Sequence, residues 1–187
     1  MVLACSFSIF SFHAYGQDCP LLEEWWAYGP TDAVVSIDDL AFLKSGDTIQ
    51  IVDISDPSSP EVVNSFRLMD LEKTAGVPGC DCEFSLRDLA AIGQSLVVLC
   101  ESGVQIVDVE FPEAPRLVAS YCLEGWAKRI WVFGDYAYID RIGMGLVILD
   151  LSEATNPRLV SEKPYGASDI DGDADSVVVL SMGGEAV

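Results

Sequence analysis

The chain has 187 residues, half of them hydrophobic, with 30 acidic side chains against 10 basic ones and a formal charge of −20. That length and apolar content allow a sizeable buried core and argue against bulk disorder. The charge would repel a nucleic-acid backbone and disfavours an anionic membrane surface.

Residues 1–16 read as a signal peptide. Positions 2–12 are apolar, and Ala14, Tyr15 and Gly16 form a small-x-small site before Gln17. No Lys or Arg precedes the apolar run, so the expected start lies within a longer leader; the alternative is a buried first strand. His13 is the only histidine and lies in this leader. A mature chain without it has no Ser-His-Asp triad, no Cys-His pair and no histidine-ligated metal. The expected location is extracytoplasmic: secreted, periplasmic or at the cell surface. No other stretch reaches the roughly 18 apolar residues of a membrane helix, so no transmembrane segment is expected.

Segments near 24–28 and 33–37 read as two strands ahead of the first full set. A recurring unit then dominates. The strand IQIVD at 49–53 returns as VQIVD at 104–108 and LVILD at 146–150, each followed by a Pro-bearing turn and a second apolar strand. The repeats fall at about 33–68, 86–122 and 128–162, with the start of a fourth at 167–187 and an insertion at 69–85. In the second copy, four strands are expected near 86–92, 95–100, 104–109 and 116–122, separated by Gly- or Pro-rich turns. Helical periodicity is absent. The strands are apolar on successive residues, the pattern of a sheet buried on both faces. Four-stranded units of this size, stacked face to face, predict an all-β fold: a β-propeller of antiparallel four-stranded blades, incomplete at about three to four blades, an open arc lacking the blades of a longer chain.

On these strands, the Ser-Asp-Pro-x-x-Pro turn at 55–60 and the Gly-Asp-Tyr-Ala-Tyr segment at 134–138, the chain resembles the LVIVD-repeat proteins. The resemblance covers about residues 33–182. It implies a bacterial, exported β-propeller, often fused to other surface modules, with no established enzymatic activity. The insertion after the first repeat departs from the pattern.

Six cysteines are present, at 5, 19, 80, 82, 100 and 122. A secreted setting favours disulfides. A bridge between Cys80 and Cys82 would be strained, so one of them is expected to reach elsewhere, and Cys122 is the candidate partner. Asp53, Asp108 and Asp150 hold one position in every repeat and are expected to cap the following turn rather than bind cations. Asp169, Asp171, Asp173 and Asp175 alternate as calcium ligands do, but Ala174 and Leu180 stand where an EF-hand loop needs Gly and Glu. Trp131 and Tyr138 are expected to pack. Trp126, beside Lys128 and Arg129, is the candidate contact point for a protein or glycan at the cell surface. The expected function is non-catalytic binding or scaffolding without a cofactor. The alternative is a calcium-assisted hydrolase or lyase acting through acidic loop residues.

Overall fold

A computed structural model describes residues 31–77, 79–80, 86–173 and 176–181. The expected signal peptide at 1–16, the expected strand near 24–28, Cys82 and Asp175 lie outside the described residues. The rest is nearly all β. The first sheet holds β1 (Thr31–Ile37), β2 (Leu40–Ser45), β3 (Thr48–Asp53) and β4 (Glu61–Arg67). After helix α1 (Leu68–Ala75), the second holds β5 (Leu86–Ile92), β6 (Ser95–Cys100), β7 (Gly103–Asp108) and β8 (Arg116–Cys122). The third holds β9 (Ala127–Phe133), β10 (Tyr136–Arg141), β11 (Gly145–Asp150) and β12 (Arg158–Lys163), and β13 (Ala167–Gly172) pairs with β14 (Val177–Ser181). Each sheet is an antiparallel meander whose strands neighbour one another in chain order. Thus β1 belongs to the first full sheet rather than preceding it, and the final repeat supplies two described strands.

The sheets stack as propeller blades do. The first strands meet, β1 against β5 and β5 against β9, so they lie nearest the common axis. One core fills the wedge between the first and second sheets, with Phe42, Ile49 and Ile51 facing Leu96, Val98 and Cys100. Another joins Val97, Leu99 and Ile106 to Ile139, Val147 and Leu149 of the third sheet. A third packs Leu146, Trp131 and Tyr138 against Ala167, Ile170 and Val179. Successive residues of β6 therefore serve opposite wedges, which is why that strand is apolar without alternation. Phe42, Ile49, Ile51, Leu96 and Leu99 are fully buried, each worth roughly 2–3 kcal/mol relative to exposure.

The insertion contains α1, where no helix was expected. Eight residues are too few to show helical periodicity, but their chemistry suits a helix. Leu, Met, Glu, Lys and Ala are good formers. Asp70 sits in the first turn and Lys73 in the last, complementing the helix dipole, and Gly76 ends it in the left-handed conformation at φ 65°. The helix packs on β4 and β8 and so occupies the outer part of the first wedge. Leu68 is buried in the core there. Among the described residues, no helix is long and apolar enough to cross a membrane.

Two features repeat. The carboxylates of Asp53, Asp108 and Asp150 accept the N–H of Ser55, Glu110 and Ser152, at 2.8, 3.0 and 2.9 Å. They cap the turns, as expected. The first strand of every sheet also carries a β-bulge at its start, leaving Asp32, Arg87, Lys128 and Ser168 as extra, unpaired residues. All four bulges fall at the same end of the stack. The links from one sheet to the next and the β2–β3, β6–β7 and β10–β11 turns lie there too; this end is called the linker face below.

Candidate functional site

The link from β8 to β9 crosses the linker face as a short, tightly held ridge. Leu123 N–H donates to Ser102 O and Ala127 N–H to Glu101 O, at 2.8 and 2.9 Å, fixing it to the β6–β7 turn. On the other side Ile142 N–H donates to Trp126 O at 2.8 Å, fixing it to the β10–β11 turn. Gly125 takes φ +84°, and a Cβ there would collide with Met144 Sδ. The left-handed backbone is what favours glycine there, since the flexible Met144 side chain could move aside. Trp126 is 63 % exposed, with Ile142 at 57 % and Met144 at 43 %. Backbone hydrogen bonds thus hold three large exposed apolar residues on two neighbouring loops, the β8–β9 link and the β10–β11 turn.

Cationic side chains flank the ridge. Arg87 reaches Glu101 at 2.5 Å. Arg141 is buried; it donates to Glu124 O at 3.1 Å and lies 3.4 Å from Glu162, while its Nε has no partner. Lys128 Nζ is 3.7 Å from Asp140 Oδ2, and the Arg129 guanidinium lies 5.7 Å from the centre of the Trp131 ring. Lys163 ends β12, its carbonyl oxygen packed against Gly145.

Two carboxylates tie the sheets together beneath the ridge. Asp88 Oδ2 accepts Ile130 N–H at 3.2 Å, joining the second sheet to the third. Asp140 Oδ1 accepts Ala167 N–H at 3.0 Å, joining the third to β13. Burial pushes the Asp88 carboxyl above its usual range, against the pull of the Ile130 and Leu89 N–H groups and of Arg129 and Lys44.

The insertion is stapled to the same face. Cys80 and Cys122 are joined by a disulfide. The Ser102 hydroxyl donates to Cys80 O and the Gln105 amide to Glu72. Gly103 lies against this junction, where a Cβ would come 2.6 Å from Tyr121 O and 2.9 Å from Cys80 Cβ. Cys100 is disulfide-bonded as well.

The structure therefore places Trp126, Lys128 and Arg129 together at the start of β9, and Trp131 and Tyr138 in the core between sheets. Asp169 and Asp171 lie along β13, where each accepts the next residue's N–H, and Asp173 accepts the Ser176 N–H at 2.9 Å, closing a turn. Among the described residues no group of three or more His, Cys, Asp or Glu side chains could hold a metal ion. A shallow cleft of about 480 Å³ between α1 and β8 is lined by Leu71, Ala75, Arg116 and Leu117, without convergent carboxylates. Ile142 and Met144 were missed from sequence. Their signal was a turn, Ile142-Gly143-Met144, that carries large apolar residues where the equivalent turns read Gly46-Asp47 and Glu101-Ser102.

The LVIVD repeat family matches residues 44–67 and 124–162. No curated protein sequence matches the chain. Among solved structures, it is similar to the N-terminal domain of Nup159, with a TM-score of 0.54 and 14 % identity over 86 % of this chain and 40 % of that one. It is also similar to a functionally unknown protein from Desulfotomaculum acetoxidans DSM 771, with a TM-score of 0.57 and 13 % identity over 84 % and 54 %. The computationally designed Ika8 protein aligns with a TM-score of 0.57 and 11 % identity over 82 % and 43 %. At such identities the likeness is one of fold alone. The chain spans about two fifths to just over half the length of these structures.

Proposed function

We propose that this chain, an LVIVD-repeat protein built of propeller-type blades, is a non-catalytic binding module that holds a partner on the Trp126 ridge of its linker face. The observation that carries this reading is the fixed exposure of Trp126, Ile142 and Met144. Apolar side chains of this size cost solvation when left in water and contribute to binding when covered. Aromatic residues held by rigid backbone are the usual anchors of an interface.

We infer further that the protein works in an oxidising, extracytoplasmic compartment. The Cys80–Cys122 bond and the disulfide at Cys100 support this, since such bonds persist outside the reducing cytosol. A partner at the cell surface fits that location.

A photo-crosslinking residue placed at Trp126 in cells making the protein tests the reading. A discrete crosslinked adduct is expected at position 126 and not at Phe111, an exposed aromatic on the opposite face. No adduct at 126, or equal adducts at both positions, overturns it.

A further inference from the structure

Resting on that reading of the ridge, we propose that its partner is a protein segment placing an aliphatic or aromatic side chain on Trp126, Ile142 and Met144 and a carboxylate beside Lys128 and Arg129. The argument is one of pairing. Acidic residues outnumber basic ones by 30 to 10 in this chain, so every cation has carboxylates to choose from. Seven of the ten donate hydrogen bonds. Lys44, Arg67, Lys73, Arg87, Arg116 and Arg158 donate to carboxylates, and Arg141 to Glu124 O. Among the described residues, Lys128, Arg129 and Lys163 donate none.

All three belong to the third sheet and to the linker face, at the start of β9 and the end of β12. Asp140 stands nearest Lys128, but its Oδ1 is taken by Ala167 N–H and its Oδ2 stays 3.7 Å from the ammonium. The Arg129 guanidinium rests over Trp131 rather than on a carboxylate. Lys128 is thus ion-paired with Asp140 but makes no hydrogen bond, and Arg129 rests on a ring, so both keep donors for a further acceptor close to the exposed apolar ridge. The linker face has acids too, with Glu124 exposed two positions before Trp126 and Glu101 and Glu162 paired with Arg87 and Arg141, so a carboxylate-bearing partner is complementary on the Lys128–Arg129 side of the ridge; it is disfavoured on the opposite face, where Asp53, Asp56, Asp108, Glu110, Glu113 and Asp150 outnumber Arg116 and Arg158.

The spacing sets the motif. Trp126 and Lys128 are two residues apart, roughly 7 Å along an extended chain, so the apolar and acidic groups of the partner lie within about two residues of each other. A peptide suits the ridge better than a sugar. Sugars stack on flat rings, and two of the three apolar groups, Ile142 and Met144, are not rings.

The test pans a displayed library of random peptides against the full chain. Synthetic versions of the enriched peptides are then measured by fluorescence anisotropy against the wild type, W126A, K128Q/R129Q, K128E/R129E and, on the opposite face, E110K/E113K. Matching thermal melts show that each variant is folded. Enriched peptides are expected to carry Asp or Glu within two residues of a large apolar side chain. W126A and K128E/R129E should each weaken binding about tenfold or more, K128Q/R129Q less, and E110K/E113K by no more than about twofold. Should K128E fail to fold, K128Q/R129Q alone decides. Loss with W126A but not with either Lys128/Arg129 pair overturns the carboxylate assignment and leaves the ridge as a docking surface. Enriched peptides that are basic, or that bind all linker-face variants equally, overturn both, as does the absence of any enriched sequence.

Discussion

Replacing Cys80 and Cys122 together by Ala should lower the unfolding free energy by about 2–4 kcal/mol, mainly through the unfolded chain. The two residues are 42 positions apart, and closing a loop of that length in the denatured ensemble costs about 4 kcal/mol of entropy at 25 °C. Other contacts also hold the segment: Leu68 of α1 is buried, Ser102 donates to Cys80 O and Gln105 to Glu72, and these are expected to persist without the bond. Residual structure in the unfolded chain, and the further disulfide at Cys100 that already constrains it, bring the expected loss below the full closure value. Alanine is the replacement because Cys80 is buried, at 4 % exposure, and a serine there would add an unpaired hydroxyl. Urea unfolding of both proteins, followed by far-UV circular dichroism, reads the difference. A slightly steeper denaturant dependence should accompany it, since the unlinked chain exposes more surface on unfolding. A loss under about 1 kcal/mol, with amide exchange in α1 accelerated, would refute this reasoning: the bond would then staple the insertion locally and leave global stability untouched.

Gly103→Ala should destabilise by about 1–3 kcal/mol, because its Cβ would press on Tyr121 O and Cys80; thermal melts at equal concentration measure it, and an unchanged melting temperature counts against the close approach. Asp140→Ala should cost about 2–4 kcal/mol by leaving the buried Ala167 N–H without an acceptor, whereas Asp140→Asn keeps an acceptor and should cost about half as much; equal losses for the two in urea titrations would remove Asp140 as the tie between sheets. Asp53, Asp56 and Asp150 are held below the usual 3.8 by hydrogen bonds from Ser55, Ser58 and Ser152. A depressed folded-state value contributes stability above 3.8 that is lost as pH falls through the folded value, so the melting temperature should drop on acidification below 3.8. Replacing the three aspartates by Asn, which keeps an acceptor for each cap but does not titrate, should flatten that drop, and superimposable melting-temperature curves for the two proteins would sink the assignment.

Much of the architecture was legible because the repeat is short and its chemistry is local. Val97 and Val98 are both apolar because they face different wedges, and that doubled pattern marked a stacked sheet before any coordinates. Asp53, Asp108 and Asp150 recur because each caps a turn within two residues of itself, a relation that sequence records directly. Helix α1 was not legible because eight residues are too few to show a helical period, even though their composition and the Gly76 cap suit a helix. The site was half legible. Trp126, Lys128 and Arg129 lie within four positions of one another and could be read as a cluster. Ile142 and Met144 are brought to Trp126 by the pairing of β9 with β10, which no local pattern reports. Asp88 and Asp140 act on N–H groups 42 and 27 residues away, and such reach is visible only once the sheets are stacked.

The bulge that opens each sheet separates what the fold requires from what it presents. A residue expelled from the ladder carries no cross-strand register, so its side chain is released from the pairing pattern and makes contacts of its own: Asp32 accepts from Lys44, Arg87 pairs with Glu101, Lys128 with Asp140, and the Ser168 hydroxyl donates to Leu180 O. This chain fills that slot four ways, with an aspartate, an arginine, a lysine and a serine, while each opening strand keeps its antiparallel pairing with the next. One position per repeat can thereby vary in charge and size without disturbing the ladder, and a new specificity near the axis can arise there while every wedge of the core stays intact.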